Sequence, residues 1–139
     1  MPTDPRPQKQ RHGGCLCGAV RYVAVGTPIN VRVCHCRTCQ QATGQAFFAR
    51  ALFLGEAVQI TGETGSIRTS EALVRRFCLK CGTPLLVERE GDPPLIAVAL
   101  GSLDEPAGLP PAEHVFVSRK LDWLALDDGL PQHQEGAAA

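Results

Sequence analysis

The sequence lacks an excess of charge of either sign, and it lacks long apolar runs. Its 139 residues carry 14 basic and 14 acidic side chains, so we expect neither nucleic acid nor an anionic membrane surface as a partner. No apolar stretch approaches the roughly 20 residues that a membrane helix needs. The polar first dozen residues contain no secretory signal. These absences favour a cytoplasmic protein of one ordinary domain.

The sequence is also poor in aromatic residues, with one Tyr, one Trp and five Phe, so we predict a mostly aliphatic core. Cysteine, in contrast, is plentiful. The chain has seven cysteines, an odd number that cannot pair completely, and a reducing cytoplasm disfavours disulfides. Metal binding or catalysis therefore explains them better.

Short apolar stretches broken by glycine, proline and polar turns are typical of an all-β domain. The predicted strands span residues 19–25, 29–33, 46–53, 57–61, 72–77, 84–90, 95–101 and 114–120. We expect little helix, beyond room for one turn in 101–114. The sequence thus predicts a single mainly β domain over residues 13–131. A disordered segment over 1–12 precedes it and a flexible tail over 132–139 follows it.

Four of the cysteines form two closely spaced pairs. Cys15 and Cys17 are two residues apart, so on an extended backbone both thiolates point to the same face. Cys78 and Cys81 have the spacing of a zinc knuckle, and Gly82 supplies the permissive backbone that lets amides turn toward the sulfurs. Together the pairs predict a closed, tetrahedral, structural zinc site. Small buried hydrophobic thiols are the alternative interpretation of these four residues.

The other three cysteines lie within the six residues CHCRTC. Cys34 and Cys36 share a face by the same two-residue spacing, and the turn that follows brings Cys39 round to complete a tripod. Three thiolates with one vacant corner describe a catalytic zinc, whose fourth position takes water or substrate. His35 is a less favoured fourth ligand, because on an extended backbone it faces away from its neighbours.

Two further interpretations of the tripod stay open. All seven thiolates could share one closed cluster, or the tripod could act as a metal-free redox thiol set. Three thiolates without a cation repel one another, which favours metal. Several cations lie close to the ligands in sequence and could offset the sulfur charge: Arg32, Arg37, Arg75, Arg76 and Lys80.

Five blocks of the sequence resemble, in order, the signature blocks of the glutathione-dependent formaldehyde-activating enzyme family. The blocks are 13-GGCLCGAVRY-22, 34-CHCRTCQQATGQAF-47, 77-FCLKCGTPL-85, 101-GSLD-104 and 113-EHVFVSRKLDWLALDDGLP-131. The resemblance implies a β-tent fold of antiparallel sheets. It also implies a structural zinc on Cys15, Cys17, Cys78 and Cys81, and a second, catalytic zinc on Cys34, Cys36 and Cys39.

The family resemblance implies an activity as well. That activity is the addition of glutathione to formaldehyde, giving S-(hydroxymethyl)glutathione, and the reverse reaction makes the enzyme a carbon–sulfur lyase. The partners would be a small thiol and an aldehyde. Candidate cations for the glutathione carboxylates are Arg37, Arg50, Arg119 and Lys120. A non-catalytic zinc module that binds another protein, or a labile zinc or redox thiol protein, are the alternatives.

Overall fold

The structure, a computed structural model, describes residues 8–137 and is built mainly from strands. The strands are β1 (Gln10–Gly14), β2 (Arg21–Val25), β3 (Asn30–Cys34), β4 (Phe48–Leu54), β5 (Val58–Thr61), β6 (Thr64–Arg68), β7 (Leu73–Cys78), β8 (Pro84–Arg89), β9 (Leu95–Ala99) and β10 (Glu113–Val115). One α-helix, α1 (Arg37–Thr43), follows β3, and short 3-10 turns lie at Gly55–Ala57, Leu100–Ser102 and Val117–Arg119. The prediction of a mainly β chain with little helix is confirmed.

The strands form two sheets. The smaller sheet has the order β1-β2-β5, and the larger has the order β10-β3-β4-β9-β8-β7-β6. Neighbouring strands are antiparallel, as predicted, with one exception. Strand β10 runs parallel to β3 and pairs Val115 with Cys34. The C-terminal part of the domain is thereby held beside the first cysteine of the tripod.

The larger sheet has two faces with different coverings. On β4, Ala51 and Phe53 belong to an apolar cluster that also contains Tyr22 of the smaller sheet, and we call this the inner face. Phe48 and Leu52 belong to a second cluster, which we call the outer face. The two clusters follow from the two-residue period of a strand, which sends successive side chains to opposite faces. The inner cluster is the core between the sheets.

Paired backbone extends beyond both ends of residues 13–131. Strand β1 starts at Gln10 and pairs with β2, so sheet structure begins before residue 13. At the other end, the backbone of residues 133–135 bonds to that of residues 114–118, where a flexible tail was expected. Both segments pair through backbone groups, which a search for apolar patterns does not detect. Residues 1–7 and 138–139 of the two predicted segments lie outside the described residues.

Strand β6 and helix α1 also lack a counterpart in the predicted elements. Strand β6 is a largely exposed edge strand with Ile67 as its one large apolar side chain, so its apolar signal is weak. Across residues 8–137, none of the helices has the length and apolar character needed to span a membrane.

Candidate metal centres

Four cysteine sulfurs meet where the β1–β2 turn approaches the β7–β8 turn. The Sγ atoms of Cys15, Cys17, Cys78 and Cys81 all lie within 4.8 Å of one another. Cys17 Sγ lies 3.6 Å from Cys15 Sγ and 3.7 Å from Cys78 Sγ. Four sulfurs held tetrahedrally about 2.3 Å from a zinc ion are roughly 3.8 Å apart. The donor set and its spacing therefore fit a zinc ion, and we call these residues the four-cysteine site.

Backbone amides support this site from the β7–β8 turn. The N–H groups of Lys80 and Cys81 point at Cys78 Sγ, with N to S distances of 3.3 and 3.5 Å. Gly82 has a φ of 77°, a left-handed conformation that glycine adopts without a Cβ penalty. Hydrogen bonding by Thr83 lowers the pKa of the Cys81 thiol to about 5. The turn thus favours the ionised form of Cys81, which is the metal-binding form of a thiol.

The four-cysteine site faces the core. Cys15 and Cys78 are buried in the inner cluster, with 7% and 1% of their surface exposed, respectively. Cys17 is exposed and Cys81 is partly buried. With four sulfur ligands, a tetrahedral ion here has no position left for a substrate.

Three further sulfurs meet on the outer face, at the junction of β3 and α1. Cys34 ends β3, Cys36 is the N-cap of α1, and Cys39 lies in the first turn of that helix. Their Sγ atoms lie within 4.8 Å of one another, and we call them the tripod. The predicted turn after Cys36 is therefore the start of a helix, and it does bring Cys39 round to the other two. The three sulfurs could hold a metal ion.

The tripod sulfurs are too crowded to ionise together without a cation. Hydrogen bonds from Cys34 and Cys39 lower the pKa of the Cys36 thiol. The same neighbours act oppositely on Cys34, since its interactions with Cys36 and Cys39 raise the pKa of its thiol. Three thiolates in this space need a nearby positive charge, which a zinc ion supplies.

An arginine on another strand of the larger sheet contributes positive charge beside the tripod. Arg75 on β7 donates a hydrogen bond from Nη2 to Cys39 Sγ at 3.2 Å, and its guanidinium lies 5.5 Å from the centre of the Phe48 ring. Its Nε–H is buried and has no hydrogen-bond partner among the described residues. Arg75 was one of the cations that sequence proximity suggested, and it bonds a tripod sulfur directly.

His35 points away from the tripod and into the protein. Its side chain is fully buried, and its Nε2 lies 2.9 Å from His114 Nδ1. His114 Nε2 in turn lies 2.7 Å from Asp128 Oδ2. With Asp128 accepting from His114, the neutral tautomers require His35 Nε2–H to donate to His114 Nδ1. No ring nitrogen of His35 joins the sulfur cluster within residues 8–137.

The chain of His35, His114 and Asp128 fixes the strand end that carries the tripod. Gln40 adds to it by donating from Nε2 to the backbone oxygen of His35 at 2.7 Å and to that of Arg119 at 2.8 Å. Sequence reasoning did not find Asp128 as the partner of His114. His114 lies on β10, and Asp128 follows 14 residues later in an irregular segment, so no period or spacing signals the contact.

A cavity of about 560 Å³ opens beside the tripod on the outer face. All three tripod cysteines line it, together with apolar side chains that include Phe48 and Leu52. Its polar lining contains Arg32, Arg50, Arg75 and Arg89, and no acidic residue of the described chain. The volume falls within the range of small-molecule sites, roughly 300–1,000 Å³.

Of the four cations expected to meet a carboxylate, the structure brings only Arg50 to the cavity. Arg37 bonds Gln40 on its own helix, and Arg119 is paired with Glu135 at the surface. Lys120 donates to the backbone oxygen of Leu124. Three further arginines line the cavity: Arg32, Arg75 and Arg89. Strand register brings them together there, and register cannot be read from the sequence.

Comparison with known proteins points to one family. A family profile described as glutathione-dependent formaldehyde-activating enzyme matches residues 10–119. A crystal structure of a Rhodobacter sphaeroides protein from a structural genomics programme has a similar fold, with a TM-score of 0.56 and 21% sequence identity. That match covers 72% of this chain and 91% of the other. The curated proteins give no match.

Proposed function

The chain belongs to the glutathione-dependent formaldehyde-activating enzyme family, and on this premise we propose that it joins a thiol to a small aldehyde. The thiol is glutathione, the aldehyde is formaldehyde, and the product is S-(hydroxymethyl)glutathione. In reverse the enzyme is a carbon–sulfur lyase. The catalytic residues are Cys34, Cys36 and Cys39, which hold a zinc ion, while Cys15, Cys17, Cys78 and Cys81 hold a structural zinc. The activity belongs to the cytoplasm, where seven free thiols stay reduced.

The observation that supports this proposal most directly is the pairing of three sulfur ligands with a substrate-sized cavity. Protein zinc sites that act in catalysis have three protein ligands and an open fourth position, whereas structural sites have four. The tripod offers three sulfurs, and the cavity gives a ligand access to them. The four-cysteine site provides the contrasting closed case in the same chain.

The reaction forms a sulfur–carbon bond and breaks the π bond of the aldehyde. The thiol loses its proton, its sulfur attacks the carbonyl carbon, and the carbonyl oxygen gains a proton from solvent to become a hydroxyl. Zinc bound at the tripod would favour the thiolate form of the substrate. Arg75 adds positive charge beside the sulfurs, and Phe48 and Leu52 exclude water from one wall of the cavity.

Metal analysis combined with thiol consumption tests the proposal. The wild-type protein should carry about two zinc ions per chain, one at each site. Cys36→Ser should retain about one and stay folded. Its rate of formaldehyde-dependent glutathione consumption should fall at least as far as the ~100-fold that the loss of an outer-shell partner can cause. Rates are taken above the uncatalysed reaction, because thiols add to formaldehyde unaided.

Two results would overturn the proposal. One is a wild-type protein with two bound zinc ions that gives no rate above the uncatalysed background with any thiol and aldehyde tested. Such a protein would be a zinc-binding module. The other is a Cys36→Ser variant that keeps both its metal content and its thiol-dependent turnover, since the tripod would then have no part in the chemistry.

A further inference from the structure

We propose that the cavity beside the tripod selects an acidic thiol, and that Arg50, assisted by Arg89, binds a carboxylate of that substrate. This inference rests on the proposed function and adds the specificity-determining residues to it. A neutral thiol of similar size would then be a poor ligand.

Strand register places Arg50 close to the tripod. Arg50 on β4 pairs with Arg32 on β3, and the next same-face pair along these strands is Phe48 with Cys34. A step of two residues along a strand is about 7 Å. Arg50 is therefore one such step and one strand away from the first tripod cysteine, within reach of a carboxylate on a small molecule whose sulfur lies at the tripod.

The pairing of Arg32 with Arg50 is unfavourable for the fold itself. Like charges directly opposite each other on neighbouring strands destabilise a sheet, and both side chains are largely withdrawn from water. Burial, with repulsion from Arg32 adding to it, lowers the pKa of Arg50. The cysteines of the tripod attract this second guanidinium, and no carboxylate of the described residues lines the cavity to pair with it, which an anionic ligand would do.

The partners of the two arginines differ. Arg32 forms an ion pair with Glu113 at 2.7 Å. Arg50 donates from Nη1 to the side-chain oxygen of Asn30, a neutral acceptor. Farther along the same face, Arg89 on β8 is exposed and forms no hydrogen bond or ion pair with any residue from 8 to 137. Arg50 and Arg89 therefore have donors left for a ligand.

The charge of the loaded site leads to the same conclusion. Three thiolates and one zinc ion carry a single negative charge, and Glu113 adds another beside Arg32. The cavity is lined by four guanidinium groups, so an excess of about two positive charges remains. Arginine binds carboxylates through paired N–H···O bonds, which are stronger than neutral hydrogen bonds. Glutathione with its sulfur ionised carries two carboxylates, one thiolate and one ammonium, a net charge of about −2 that balances this excess.

Binding of S-methylglutathione tests the inference without requiring any chemistry, because its blocked thiol cannot react with formaldehyde. Calorimetry with the zinc-loaded protein should show the free acid binding at least about tenfold more tightly than its diethyl ester. Arg50→Gln should weaken binding of the acid roughly 10- to 100-fold and leave binding of the ester unchanged. Arg89→Gln should have a smaller effect, since its side chain is exposed and solvent screens it.

Two further variants separate recognition from folding. Arg21→Gln is the matched control, because Arg21 lies on β2 of the smaller sheet and its substitution removes the same charge from a surface ion pair with Asp104. It should leave binding unchanged. Arg50→Lys keeps the charge but loses the two-pronged geometry, so its affinity for the acid should lie between those of the wild type and Arg50→Gln. The melting temperature of Arg50→Gln should equal or exceed that of the wild type, because the Arg32–Arg50 repulsion is relieved.

The inference is overturned if the free acid fails to bind or binds no better than the diester. It is equally overturned if Arg50→Gln and Arg21→Gln change affinity to the same extent. Either result would leave the proposed function standing, provided that the protein still accelerates thiol addition. Conversely, carboxylate-dependent binding without any turnover would support this inference and contradict the proposed function.

Discussion

The two cysteine sites lie on opposite faces of the same sheet, and the faces differ in what covers them. Cys78 of the four-cysteine site is buried in the inner cluster, between the larger sheet and the smaller one. Cys34 of the tripod is in the outer cluster, which lines an open cavity. The ligand type is the same at both sites. The number of ligands and the layer above them therefore decide whether an ion there can meet a substrate.

The two sites also differ in the charged groups that surround them. The four-cysteine site is supported mainly by backbone amides of its own turn and by the Thr83 hydroxyl. The tripod has a guanidinium bonded to one of its sulfurs and three more arginines along its cavity. Backbone donors hold a site in place, whereas long cationic side chains around a cavity attract an anion. This contrast favours a structural role for the four-cysteine site and anion binding in the cavity beside the tripod.

The largest effect on folding should come from removing a ligand of the four-cysteine site. Cys78→Ser removes a sulfur that is 1% exposed and that links the end of β7 to the β1–β2 turn. Structural zinc contributes on the order of 10 kcal/mol in small zinc-dependent domains, which is comparable to the whole stability of a typical domain. We expect the variant to be largely unfolded, as measured by circular dichroism and zinc content.

Cys36→Ser is the matched comparison for that experiment, because it makes the same chemical change at the tripod. It should remain folded, since Cys36 lies outside the inner cluster. If instead Cys36→Ser unfolded the chain and Cys78→Ser did not, the assignment of structural and catalytic roles to the two sites would be reversed.

The second prediction compares the two faces through their apolar side chains. Leu85→Ala empties a fully buried position of the inner cluster, and Leu52→Ala shortens a side chain that lines the outer cavity. Leucine to alanine changes in cores cost about 2–5 kcal/mol, depending on the cavity left behind. Leu85→Ala should fall in the upper half of that range and Leu52→Ala near its lower end, because the space beside Leu52 already exists.

Urea denaturation of both variants gives the two free energies of unfolding, with the slope of the transition as a check that the unfolded states are comparable. Equal losses would mean that the outer face is as tightly packed as the inner one. The cavity would then not be a pre-formed site.

Local spacing was sufficient to predict which neighbouring cysteine sulfurs lie together. The pair Cys15 and Cys17, the pair Cys78 and Cys81, and the run from Cys34 to Cys39 each bring sulfurs together within one turn or strand end. The structure groups the sulfurs in the same two sets. What spacing could not show is the face of the sheet on which each set lies. That depends on strand order and register, which arise from contacts between distant segments.

The arginines of the cavity illustrate the same limit. Arg32, Arg50, Arg75 and Arg89 come from β3, β4, β7 and β8, and each is unremarkable in its own segment. Only the register that pairs Arg32 with Arg50, and Arg75 with Val87 beside Arg89, places them around one space. The same holds for His35 and His114, whose rings meet across 79 residues. The sequence shows the type of each of these residues, but it does not show which of them meet in the fold.

The smallest effect should come from substituting Leu16. In sequence this residue lies between two ligands of the four-cysteine site, yet 89% of its surface is exposed. Leu16 lies with Cys17 in the turn that follows β1, and there its side chain points to solvent while the sulfurs of Cys15 and Cys17 converge. Its hydrogen bond to Thr83 Oγ1, at 3.1 Å, comes from the backbone N–H and survives substitution. Leu16→Ser should change the free energy of unfolding by less than about 0.5 kcal/mol and leave the zinc content unchanged.

Urea denaturation and metal analysis of Leu16→Ser and Cys17→Ser test which of these two exposed residues the turn needs to hold zinc. Cys17→Ser should lose the zinc of the four-cysteine site, although Cys17 is itself exposed, because ligation does not depend on burial. A loss of more than about 1 kcal/mol in Leu16→Ser would exceed what an exposed side chain contributes. That outcome would contradict the exposed position of the Leu16 side chain.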